Sequence, residues 1–207
     1  TLDKVDSANA SLKSLNLVLN NNSMLTLAGN IGTQNALTTL TASADTTTLG
    51  NTTDIIVDSS SDIFFSGHVQ LARSANISTH SGNGGGGHFT VQGNVASSTA
   101  KDLTLDTGAG TANLNTNLTG LGNLTVTGSR MALGNVSANG TVTLSPSTSG
   151  NLTGVLSGNA TLTKGGLGTL TLRSADTYSG NTTVNAGVLV LATADSASTS
   201  TVFVNAS

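Results

Sequence analysis

Triplets of the form apolar-Thr-apolar recur along this chain: Leu25-Thr26-Leu27, Phe89-Thr90-Val91, Leu103-Thr104-Leu105, Leu124-Thr125-Val126, Val142-Thr143-Leu144 and Leu170-Thr171-Leu172. Alternation of this kind is a strand signature, because successive side chains of a strand point to opposite faces. The outer residues of each triplet should point inward and the central Thr to solvent. From Leu103 the positions Leu124, Val142 and Leu162 follow at nearly equal steps, and Val69 to Phe89 is a step of the same size. A period near twenty predicts the lap of a parallel β-helix, made of two or three short strands and their turns. The expected fold class is all-β, a right-handed parallel β-helix (β-solenoid) of roughly ten laps rising ~4.8 Å each. No segment carries helical spacing of useful length, so helix content should be close to zero.

The punctuation between the strands agrees. Gly-Asn occurs nine times, beginning at Gly29, Gly50, Gly82, Gly93, Gly122, Gly134, Gly150, Gly158 and Gly180, usually just before a strand. Gly and Asn tolerate positive φ, which suits sharp corners, and stacked Asn side chains can hydrogen-bond along the coil axis. Two places break the rhythm. Residues 82 to 87, GNGGGG, read as a protruding turn, and residues 192 to 200 as a loop before a last strand, Thr201 to Val204. Neither marks a domain boundary, so residues 1–207 are expected to form a single solenoid segment.

Composition narrows the class further. Charged residues are 8% of the chain and aromatics 2%, with no Trp and no Cys. All ten acidic residues are Asp, which belongs in turns, whereas Glu favours helices. Disorder is the competing reading of a Gly/Ser-rich chain, but it goes with low hydrophobicity and many Pro or charges. Here mean hydropathy is +0.10 and there is one Pro. A net charge of -3 with scattered Lys and Arg leaves no footprint for nucleic acid or an anionic membrane. No apolar run reaches the length of a membrane span, and no signal peptide opens the chain. A start at Thr1 rather than Met reads as a mature or excised segment. The absence of Cys excludes a disulfide framework and Cys-type zinc sites.

One stretch carries a family resemblance. Leu162-Thr163-Lys164-Gly165, Gly168 through Leu172, Asp176-Thr177-Tyr178-Ser179-Gly180, Thr182-Thr183 and Gly187 with Leu189 and Leu191 span about one lap. Its strand patterns start at Leu170 and Leu189, one such period apart. This stretch, residues 162–191, resembles the autotransporter-associated β-strand repeat, or passenger-associated transport repeat, of Gram-negative surface proteins. The family pattern usually has Ser-Gly where this chain has Arg173-Ser174, and Asn where it has Asp176. Residues 1 to 161 resemble the general run of filamentous-haemagglutinin-like and autotransporter passenger sequences. The resemblance implies a right-handed parallel β-helix, secretion to the cell surface, and roles in adhesion or self-association. It links the repeat itself to transport and folding of the passenger, and the outer-membrane barrel that normally follows is not in this sequence.

The residues with chemical potential are few. His68, His80 and His88 flank the glycine turn, but spacings of 12 and 8 match no zinc-ligand pattern, and the run lacks the Asp of calcium-binding glycine repeats. Asp54, Asp58 and Asp62 could supply the paired carboxylates of sugar cleavage, yet solvated turn residues explain them equally and aromatic platforms are missing. No Ser-His-Asp arrangement or G-x-S-x-G is legible. Lys164 and Tyr178 are read as a stem covering apolar surface and a ring packing on the next lap, rather than contacts for a transport factor. Sequons such as Asn117, Asn123 and Asn151 follow from an Asn- and Thr-rich composition. Thr-x-Thr pairs at 125/127, 141/143 and 169/171 are too irregular to define one flat ice- or polysaccharide-binding face.

These features point to a non-enzymatic structural or adhesive segment of a secreted bacterial surface protein. No catalytic, cofactor or metal residue is assigned. The expected partners are copies of the chain or neighbouring surface proteins, with glycans as a further option. Nucleic acid and membrane insertion of this segment are not expected. A carbohydrate-active β-helix enzyme and a glycan- or ice-binding module are the alternatives.

Overall fold

The computed structural model describes residues 14–19, 22–32, 37–50, 54–57, 61–80, 85–193 and 201–205. The first strands are β1 (Ser14–Val18), β2 (Met24–Leu27), β3 (Thr39–Ser43), β4 (Thr46–Leu49), β5 (Asp54–Ile56), β6 (Ile63–Phe65) and β7 (His68–Leu71). They are followed by β8 (Ala75–Ser78), β9 (Phe89–Val91), β10 (Val95–Asp106), β11 (Thr111–Leu114), β12 (Leu118–Leu133), β13 (Val136–Ala138) and β14 (Thr141–Leu152). The last are β15 (Leu156–Ser157), β16 (Thr161–Lys164), β17 (Thr169–Leu172), β18 (Thr182–Val184), β19 (Val188–Leu191) and β20 (Val202–Val204). No helix occurs among the described residues, so none there is long and apolar enough to cross a membrane.

Among the described residues every pairing between strands is parallel, and the strands stack in three columns that form a β-solenoid of about eight turns. The first face stacks β1, β3, β6, β9, β11, the ends of β12 and β14, β17 and β19. On the second face lie β2, β4, β7, the starts of β10 and β12, β13 and β15. The third holds β5, β8, the end of β10, the middle of β12, the start of β14, β16, β18 and β20. The long strands β10, β12 and β14 run around corners from one face to the next.

The predicted alternation holds. Leu103 and Leu105 are buried around a half-buried Thr104, and the same pattern repeats at Leu124-Thr125-Val126 and Val142-Thr143-Leu144. Leu103, Leu124, Val142 and Leu162 stack in register as the sequence steps predicted, and Leu170 stacks on Leu189. Burying each such side chain contributes roughly 1.5–3 kcal/mol, so the ladders are the main source of stability. Phe65 and Phe89 extend the core edge-to-face, with ring centroids 6.0 Å apart.

Two expectations need correction. The fold has about eight turns rather than ten, because the early laps are longer than the later ones. On the first face Leu40, Ile63, Phe89 and Ala112 stack at wide intervals, whereas Ala112, Met131, Gly150, Leu170 and Leu189 follow at shorter and nearly equal ones. The second concerns Val69 and Phe89, which do not stack. Val69 lies on the second face under Val95, and Phe89 on the first face over Ile63. Of the protruding turn proposed at 82–87, residues 82–84 lie outside the described residues, as do 194–200 of the later loop. The final strand is present as β20.

The corners explain the Gly-Asn dipeptides differently from the backbone argument. Of their glycines, only Gly158 has positive φ (+94°) among the described residues. At others the stacked corners approach too closely for a side chain. A Cβ on Gly93 would lie 2.4 Å from Gly67 C, on Gly134 2.2 Å from Thr116 O, and on Gly180 2.4 Å from Ala160 O.

The neighbouring Asn and Asp residues form the expected axial ladders. Asn123 donates to Asp102 Oδ1 at 3.1 Å and accepts the Thr141 N–H at 2.7 Å. At another corner Asn135 donates to Asn117 Oδ1 at 2.8 Å and accepts the Val155 N–H at 2.8 Å. Such side chains satisfy corner N–H groups that the strand ladders leave over.

Candidate functional site: the lap from Leu162 to Leu191

This lap begins in β16, where alternation sends residues 162 and 164 into the core. Lys164 is therefore stacked between Leu144 and Val184 and is fully buried. Its aliphatic stem continues the apolar ladder, and its ammonium reaches the corner that ends the strand. There Nζ donates to the carbonyls of Gly165, Gly166 at 2.8 Å and Ala186 at 2.9 Å. Gly166, with φ of +65°, turns its carbonyl toward this corner, and Ala186 belongs to the following lap. Three carbonyls match the three donors of an ammonium. Burial still holds the Lys164 pKa below its ordinary value. The reading of Lys164 as a surface stem is thus corrected: it is an internal tie between two laps. Its place as the outer residue of the triplet Leu162-Thr163-Lys164 was the available signal.

The second-face segment of this lap, Ser174–Ser179, is not a regular strand. In four successive earlier laps, the N–H groups of Val69, Val95, Leu118 and Val136 donate to backbone carbonyls of the following lap: Asn94, Asn117, Asn135 and Val155. Leu156 is next in this series, and its N–H donates instead to Asp176 Oδ1 at 2.6 Å. A side-chain oxygen has replaced the backbone carbonyl. Asp176 is 2% exposed, and its Oδ2 has no hydrogen-bond partner. Burial pushes its pKa up to about 6 against the opposing pull of the Leu156 N–H.

Two residues on, Tyr178 is buried, and its hydroxyl hydrogen-bonds the buried Thr182 hydroxyl. The packing role expected for Tyr178 is what the structure shows. Nothing in the sequence pattern singles out Asp176 or Thr182 for a buried polar role.

The other candidates are dispersed among separate corners. His68 Nδ1 accepts the Asn94 N–H at 3.0 Å, His80 Nε2 lies 2.8 Å from Asp106 Oδ2, and the His88 N–H donates to Asp62 Oδ1 at 2.7 Å. No three metal-ligating side chains come together among the described residues. Asp54 accepts from Asn76 Nδ2 at 3.0 Å as part of an axial ladder, and Asp58 lies outside the described residues.

The Thr pairs are more ordered than the sequence suggested. Thr104, Thr125, Thr143, Thr163 and Thr183 stack in register over five consecutive laps of the third face. The pairs 125/127, 141/143 and 161/163 share that face, whereas Thr169 and Thr171 lie on the first.

Residues 162–191 match the family model described as Passenger-associated-transport-repeat. The lap that holds Lys164, Asp176 and Tyr178 is thus one copy of that repeat, within a parallel β-solenoid. Together the repeat and the fold fit the passenger domain of an autotransporter, a class of secreted or surface protein. No curated protein and no solved structure significantly matches the chain.

Proposed function

We propose that this chain is a structural and adhesive segment of a passenger at the bacterial cell surface. It acts by self-association, with no catalytic step, cofactor or metal. The observation that carries the reading is the distribution of exposed apolar side chains. Of nine large hydrophobic residues exposed on the described surface, six lie on β19 and β20: Val188, Val190, Leu191, Val202, Phe203 and Val204. Val188, Val190 and Phe203 among them stand at the outward positions that Thr169, Thr171 and Thr183 hold one lap earlier. An apolar patch on an outward face marks an interaction surface. Side-by-side packing of a second copy against it removes those side chains from water. With 8% charged residues the chain has little repulsion to oppose it.

The test is electron microscopy and sedimentation of the chain over a concentration series, with circular dichroism on the same samples. Strand-rich assemblies should grow with concentration and be abolished by Val190→Lys with Phe203→Asp. A strict monomer at all concentrations overturns the reading.

The in-register Thr rows of the third face favour one second reading, in which that face lies against a regular polar surface such as crystalline polysaccharide or ice. Retention on such a surface that is lost in a Thr125→Lys, Thr143→Lys variant would support it.

A further inference from the structure

We propose that Asp176 is a pH-sensitive latch: its neutral acid form fastens the repeat lap onto the preceding lap, and its ionisation loosens that junction. The geometry supplies the mechanism. At this one place on the second face a titratable side chain stands where the four laps before it use a backbone carbonyl, which does not titrate. Ionisation puts a negative charge on a group that is 2% exposed, and the Leu156 N–H is the hydrogen bond that answers it. A buried carboxylate with one oxygen unpartnered is costly, while the neutral acid removes the charge and keeps the carbonyl-like acceptor for Leu156.

Among the described residues no fixed charge offsets this. β13 and β15, which precede Asp176 on its face, contain no titratable residue. From its own segment come Arg173, whose Nε donates to Asn151 Oδ1, and Tyr178, whose hydroxyl is engaged by Thr182. Across the core β16 contributes Lys164, whose ammonium is held by three carbonyls, and β17 contributes no titratable group. The raised pKa, about 6 against an ordinary 3.8, has burial as its first cause and agrees with this environment.

The sign follows from linkage. The folded lap binds the proton more tightly than the unfolded chain does. The stabilisation is therefore complete below pH 3.8 and is lost as pH rises through about 6. A shift of that size corresponds to roughly a hundredfold in the local closing equilibrium.

Tyr178 makes the event separately observable, because the chain has one Tyr and no Trp. The test follows Leu156 amide protection and acrylamide quenching of Tyr178 fluorescence between pH 4 and 8, in the whole chain and in Asp176→Asn. In the wild type, protection corrected for intrinsic exchange should fall by up to about a hundredfold across this range, and quenching should rise. Asp176→Asn, which keeps the acceptor and cannot ionise, should be flat. Should the variant fail to fold, carbon-13 NMR of the Asp176 carboxyl in the wild type decides the matter through an inflection near 6. Parallel pH profiles in the two proteins, or a carboxyl inflection below 4.5, overturn the proposal.

Discussion

The Lys164 ammonium lies 2.9 Å from the carbonyl oxygen of Ala186, 22 residues further along the chain and one lap away. A single side chain thus closes the corner of its own lap through Gly165 and Gly166 and binds the next lap to it. Lys164→Ala should cost about 2–4 kcal/mol, since it removes a buried stem and leaves three carbonyls without their donor. Lys164→Met keeps the stem and should cost about half as much. Chemical denaturation followed by Tyr178 fluorescence measures both, because that signal comes from the affected lap.

The close-packed corners make a sharper prediction about glycine. Gly93→Ala drives a methyl into the Gly67 backbone and should destabilise by about 1–3 kcal/mol. Gly50 also precedes Asn, but its added Cβ would meet nothing nearer than Thr26 Cγ2 at 3.4 Å. Gly50→Ala should fall within about 0.5 kcal/mol of wild type. Paired urea denaturation curves decide between this account and one based on backbone conformation, in which both substitutions would be equally costly.

Asn123 tests the axial ladders. Asn123→Ala removes the acceptor of the Thr141 N–H and the donor to Asp102, and should cost about 1 kcal/mol. Asn113 is exposed on the first face, away from these corners, and Asn113→Ala should change stability by less than about 0.5 kcal/mol. Hydrogen exchange of the Thr141 amide should accelerate in the first variant and not in the second.

Much of this architecture is legible in the triplets, because alternation fixes which side chain faces inward and the later laps keep nearly constant length. Register from Leu103 onward can be read by counting for that reason. Counting fails at Val69 and Phe89 because longer early laps carry equal sequence steps onto different faces, and no local signal marks a lengthened corner. The repeat lap is legible as a family motif, but its chemistry is not. Lys164 looks like a surface residue until alternation is applied to it strictly. Asp176 matters only because the backbone around it departs from the strand pattern, which depends on the fold of two laps at once. The third Thr pair on the third face, 161/163, escapes the triplet pattern for a simpler reason: its strand ends in Lys rather than an apolar residue.

The register of the laps determines which side chains meet, and the absence of Cys allows it to be tested by cysteine pairs in an otherwise thiol-free chain. Thr143 and Thr163 are paired in adjacent strands. Gln70 and Thr90 have the same separation in sequence, but Gln70 pairs with Thr48 and Ala96, and Thr90 with Phe64 and Asn113. Under mild oxidation Thr143→Cys with Thr163→Cys should form an intrachain disulfide readily, since paired Cα atoms in adjacent strands fall within bridging distance. Gln70→Cys with Thr90→Cys should remain reduced. Equal cross-linking of the two pairs, or closure of the second alone, would contradict the three-faced stacking of the solenoid.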